Sequence, residues 1–191
     1  VVLHSLAFGT LKPFLAESAA DRIAPSQLEM TLDVMANSLV YWTQDVVGRG
    51  LMVGGGHVYA MTSAGGHKIW PSYGAVSAAK AALESHCRQL AVELVPRKIA
   101  VNAIRAGVTD TPALRKIPGN EGMIERCLAV HPAGRLTTPD DVVKVMVALH
   151  SWPTSPAPAS PAHTRKLPPF AGRPLKAASM PGAAAPAFGV K

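Results

Sequence analysis

Between Gly54 and Ile104 the chain reads as strand, helix, strand, and that order constrains the fold more than any other feature. The run HVYAMTS, His57 to Ser63, is bounded by GGG and AGG and predicts a short buried strand. A long helical segment follows from Tyr73 to Leu94 and breaks at Pro96. KIAVNAI, Lys98 to Ile104, predicts another strand. Upstream, the Val-rich opening Val1–Ser5 predicts a first strand, while Leu28, Leu32, Met35, Leu39 and Val46 recur at largely helical spacing between Gln27 and Val47. Strands alternating with helices imply parallel pairing through crossover helices, an α/β architecture.

After Gly107 the sequence predicts short helical pieces separated by turns, then a final helix with a strong start signal. Thr138 stands as N-cap, Pro139 at the first helical position, and Asp140 and Asp141 in the first turn. Beyond His150 the composition changes. Nine of the 17 prolines lie in the last 41 residues, mixed with alanine and glycine and without any acid, so residues 151–191 are expected to form a disordered Pro/Ala-rich tail.

Most of the net charge of +7 belongs to that tail, because residues 1–150 carry 14 Lys+Arg against 12 Asp+Glu. The cations are single and scattered, a pattern that argues against nucleic acid as a partner. Cys87 and Cys127 are the only cysteines, with no CxxC and no zinc-like spacing, so free, partly buried thiols in a reducing cytoplasm and no metal site are expected. No segment approaches the roughly 18 consecutive apolar residues of a membrane span. The seven histidines are scattered and are expected in solvent or capping roles. The chain opens VVLHSLAF, without methionine and inside a strand-like run, and is expected to be a fragment.

One tyrosine and one lysine, Tyr73 and Lys80, lie seven residues apart in the central helix. At 100° per residue they fall within about 20° of each other on one face. Val76, Leu83, Cys87, Leu90 and Leu94 form an apolar stripe about 60–80° away, which puts the pair at the edge of the buried surface. That placement also suits an interfacial tyrosine and a lysine whose stem covers apolar surface. The preceding strand ends in Met61, Thr62 and Ser63, and open parallel sheets bind ligands at the carboxyl ends of their strands. A nearby ammonium favours the phenolate, turning a phenol of ordinary pKa about 10 into a usable proton donor.

The run PSYGAVSAAKAALES resembles the short-chain dehydrogenase/reductase superfamily, and its Tyr-x6-Lys spacing resembles the enoyl-acyl carrier protein reductases within it. VVLHSLAF resembles the fourth-strand motif of that family, KAALES and RQLAVEL its active-site helix, and VNAIRAGVTDT its sixth strand and cofactor loop. The resemblance covers residues 1–150 and implies a partial Rossmann-like, doubly wound parallel sheet, with the first three strands and the last strand missing. It implies reduction of the trans-2 double bond of an enoyl thioester on acyl carrier protein in fatty acid synthesis, with NADH or NADPH, by a homo-oligomer that is a tetramer in the full-length family. Tyr73 would donate the proton or stabilise the enolate oxygen, and Lys80 would bind the nicotinamide ribose and tune Tyr73. Thr111 would contact the carboxamide, Ala106 and Gly107 would line the nicotinamide pocket, and Ser5, Leu6 and Ala7 would lie along the adenosine and pyrophosphate side.

Departures from the family pattern keep alternatives open. Ser63 stands where the best-known enoyl reductases carry an additional tyrosine, and resembles the substrate-orienting serine of ordinary short-chain reductases. Asn37 resembles the helix asparagine of those same members, so a 3-oxoacyl-acyl carrier protein reductase is an alternative, as is an inactive fragment or interaction module. The glycines Gly50, Gly54 and Gly56 spell GxxxGxG, but they precede a strand, whereas a dinucleotide turn must follow one and open a helix. Residues 112–129 resemble the substrate lid, in which Leu114, Ile117, Met123, Ile124 and Leu128 would form an apolar wall.

Overall fold

The computed structural model describes residues 1–151, and the expected tail from Trp152 onward lies outside the described residues. Three parallel strands form the sheet in the order β1 (Val2–His4), β2 (His57–Thr62), β3 (Ala100–Arg105). Val2 pairs with Val58 and His4 with Ala60, while His57 pairs with Ala100 and Thr62 with Arg105. All three strands therefore end at one edge, the edge where ligands meet open parallel sheets.

Before β2 run α1 (Pro25–Leu32) and α2 (Ser38–Gly48), joined by a π turn over Asp33–Asn37. The apolar spacing foretold one helix here; the wide turn inside it was not legible. It turns Met35 and Ala36 into the core while Asn37 hydrogen-bonds His86. The central helix α3 (Gly74–Leu94) buries Val76, Ala79, Leu83, Cys87, Leu90 and Leu94 against Val58 and Ala60 of β2 and Leu39 of α2. Alternation along β2 sends His57 and Tyr59 to the opposite face. There α5 (Pro139–His150) lies, with the Tyr59 hydroxyl donating to the Met146 carbonyl at 3.1 Å and the His150 ring 4.5 Å from that of His57. Helices thus cover both faces, as the doubly wound expectation requires. Between β3 and α5, α4 (Asn120–Val130) buries no residue at all.

Several expectations need correction. Tyr73 is not inside the helix: it is the residue before its first turn, so helical phase does not set its relation to Lys80. Lys98 is not in β3; it adopts a left-handed conformation (φ 56°) after the short helical turn Val95–Arg97, and the strand begins at Ala100. His4 and His57 are buried rather than solvated, because each occupies an inward position on a strand. Burial is the main cause that lowers the pKa of both; the Lys80 charge adds to it for His4 and His150 for His57. The final helix starts as expected, with Thr138 and Asp141 closing a reciprocal cap. The glycine-rich segment Gly50–Gly56 is a turn ahead of β2 and opens no helix.

Candidate active site

The carboxyl edge collects most of the residues singled out by sequence. β1 runs out into Ser5, Leu6 and Ala7, all exposed; β2 into half-buried Ser63; β3 into Ala106 and Gly107. Lys80 reaches this edge from α3. It is 5% exposed, and its Nζ donates to the Leu6 carbonyl at 3.2 Å and the Met61 carbonyl at 2.8 Å, bridging the ends of β1 and β2. An ammonium has three protons to donate, so two carbonyls leave one for a ligand. Burial pushes Lys80 down to about 8, and it neither snorkels nor sits at a wet margin as the helical-wheel arithmetic suggested.

Tyr73 is half-buried and packs against the core from its position at the start of α3. Ser72, just before it, takes a left-handed conformation with φ 60°, unusual for a residue with a Cβ and common where function constrains backbone. The tyrosine ring lies on Gly65, where a Cβ would come within 3.0 Å of Cδ1 and clash with Cε1. Only glycine leaves room for that approach. Gly65 belongs to the short turn Ala64–Gly66, and the Ser63 hydroxyl caps that turn by accepting the Gly65 N–H at 3.1 Å. Its own proton remains available to donate.

Other expected members are arranged differently. Gly107 permits close approach, but the group against it is the Thr137 side chain, and the Thr137 N–H donates to Val108 at 3.0 Å. The loop after β3 is therefore tied to the start of α5. Thr111 caps the next turn by accepting the Leu114 N–H at 3.2 Å. Asn37 is bonded to His86 at 3.1 Å, between α2 and α3.

An apolar surface that the sequence did not mark lies next to Tyr73. A groove of about 500 Å³ beside the tyrosine is lined by Pro13, Phe14, Ile69 and Trp70. Phe14 lies against Gly74, and Ile69 is fully exposed. Of the predicted wall, Leu114 is buried and Leu128 exposed, and Trp70 of the groove donates to the Pro118 carbonyl of that segment at 2.9 Å. Phe14 and Ile69 sit in stretches without periodicity, so no pattern in the sequence marked them.

Comparison with known proteins adds a second line of support. Residues 1–155 match the family model described as enoyl-(acyl carrier protein) reductase. The chain belongs to that family. Among its relatives, the enoyl-acyl-carrier-protein reductase (NADH) FabI of Aquifex aeolicus is 30% identical over 152 residues, covering 79% of this chain and 55% of the relative. The Synechocystis enzyme of the same name is 33% identical over 142 residues, covering 74% and 54% respectively. The crystal structure of the Bacillus cereus enoyl-acyl carrier protein reductase with NADP+ and indole naphthyridinone superposes with a TM-score of 0.68 at 26% identity, covering 78% of this chain and 56% of that one. The Rossmann-like fold class follows, and the chain spans about half the length of the enoyl reductases it matches. Among the described residues no helix is long and apolar enough to cross a membrane, and no group of three or more potential ligands could hold a metal ion.

Proposed function

We propose that the chain carries the proton-donor side of an NADH- or NADPH-dependent reductase of the trans-2 double bond in enoyl-acyl carrier protein, acting in fatty acid synthesis in the cytoplasm. The observation that carries this is the buried Lys80 ammonium bridging Leu6 and Met61, with Gly66 packed on its stem and Tyr73 resting on the adjoining Gly65.

The free proton of Lys80 suits a ribose hydroxyl, and the exposed Ser5–Ala7 edge, Ala106, Gly107 and Thr111 would flank the rest of the nucleotide. These residues fit the nicotinamide end; no glycine-rich turn among the described residues follows a strand and opens a helix to hold the pyrophosphate. Bound NADH or NADPH supplies a hydride to the enoyl β-carbon. Tyr73 hydrogen-bonds the thioester carbonyl and supplies its proton as negative charge develops there. Lys80, buried and bonded to the Leu6 and Met61 carbonyls, keeps one N–H directed at the bound ligand beside Tyr73. Ser63 presents its hydroxyl proton to the same carbonyl.

Exposed Tyr41 and Trp42 on α2 and Val92 on α3 support self-association into a homo-oligomer, since aromatic residues are enriched in such interfaces. The 3-oxoacyl alternative rests on Ser63 and Asn37, and the bond from Asn37 to His86 counts against it. The test is a chimera in which residues 1–151 replace the matching segment of the Aquifex aeolicus enzyme. Its kcat/KM for a trans-2-octenoyl thioester should exceed that for the 3-oxooctanoyl thioester, and the reverse order would favour ketone reduction.

A further inference from the structure

One turn beyond Lys80 on α3, Glu84 holds two residues that flank the turn under Tyr73. Its side chain is 15% exposed. Oε1 accepts the Thr62 hydroxyl proton at 2.7 Å, and Oε2 pairs with His67 Nε2 at 2.8 Å. Thr62 is the last residue of β2, and His67 follows the Ala64–Gly66 turn directly. The carboxylate therefore grips the turn at both ends. On its other side the turn touches the catalytic pair: Gly65 lies under the Tyr73 ring, and a Cβ on Gly66 would sit 3.5 Å from Cβ of Lys80. A glycine turn has little stiffness of its own, since glycine samples the widest range of backbone angles.

We propose that Glu84 is a positioning residue for Tyr73: by clamping Thr62 and His67 it fixes the Gly65 surface on which the tyrosine ring rests. The inference rests on Tyr73 being the proton donor. Burial raises the Glu84 pKa, but the bonds from Thr62 and His67, helped by Arg105, outweigh it and leave the carboxyl below its ordinary value. The clamp is thus ionised and accepts from both partners at neutral pH.

The test places 3-fluorotyrosine at position 73 of the full 191-residue chain and follows its fluorine resonance, which reports the ring's own surroundings and needs no turnover. In Glu84→Ala the resonance should move toward the position of free fluorotyrosine and narrow, as the ring gains motion. Glu84→Gln should restore the wild-type resonance, because the amide keeps an acceptor for Thr62 and can donate to an unprotonated His67 nitrogen. His67→Ala removes one grip from an exposed position and should give a smaller shift in the same direction, which keeps the test decisive even if Glu84→Ala fails to fold. An unchanged resonance in folded Glu84→Ala, or in His67→Ala, overturns the proposal, as does a Glu84→Gln spectrum matching that of Glu84→Ala. Absence of enoyl reduction by the chimera would instead remove the functional reading and leave the fluorine result standing.

Discussion

The two sides of the carboxyl edge are held by different means. On one side, α3 carries Lys80 in a row of residues at most 7% exposed, locked to β2 and α2 by apolar packing. On the other, α4 and α5 bury no residue, and Val130 and Val147 are 74% and 63% exposed. What holds that side is polar: the local Thr138–Asp141 cap, Arg135–Asp141 fork and Asp110–Arg115 pair, and one long-range bond from the Tyr59 hydroxyl to the Met146 carbonyl. Proton transfer needs fixed geometry, whereas admitting a substrate needs a wall that can move, and regions of few buried contacts open first. Tyr73 and Lys80 lie on the closely packed side, and residues 112–129, expected by resemblance to form a substrate lid, lie on the sparsely packed one.

The largest contrast should appear in stability. Leu83→Ala empties a fully buried site and should cost about 2–5 kcal/mol, whereas Val147→Ala on α5 should stay within about 0.5 kcal/mol. Urea unfolding of the two variants measures both, and equal losses would break the contrast. Next comes pH. Because burial lowers Lys80 from 10.5 to about 8, the unfolded chain holds the proton more tightly between those values. Stability should therefore rise with pH from about 8 until the raised Cys87 thiol begins to oppose it near 9, and Lys80→Met should abolish that rise in a thermal-melt series. The smallest effect is chemical. Burial pushes the Cys87 thiol up to about 11, while Cys127 on α4 is only half-buried. A maleimide should label Cys127 in the native protein and reach Cys87 only on unfolding; equal rates would mean that α3 opens as readily as α4.

How much of this was legible depended on whether a residue's role is periodic or local. Val76, Leu83, Cys87, Leu90 and Leu94 announced a buried helix face by spacing alone, and that face is buried as expected. Thr138, Pro139 and Asp141 announced the start of α5, because capping chemistry is confined to a few neighbouring residues. The π turn at Asp33–Asn37 and the left-handed Ser72 leave no periodic trace, since they depend on tertiary packing. The site was read in part. Lys80 and Tyr73 were found through their spacing, yet the Gly65 support, the Glu84 clamp and the Phe14–Ile69 groove depend on long-range contacts between segments that no single window contains.

The role of Tyr73 as proton donor is tested most directly by the rate of crotonyl-thioester reduction by the Tyr73→Phe chimera, with NADH affinity determined on the same protein. Loss of a positioned general acid should lower kcat by about 10²–10⁴-fold, while the dissociation constant for NADH stays unchanged, because Lys80, Leu6 and Met61 keep their contacts. Turnover retained at the wild-type rate with phenylalanine at position 73 would contradict it.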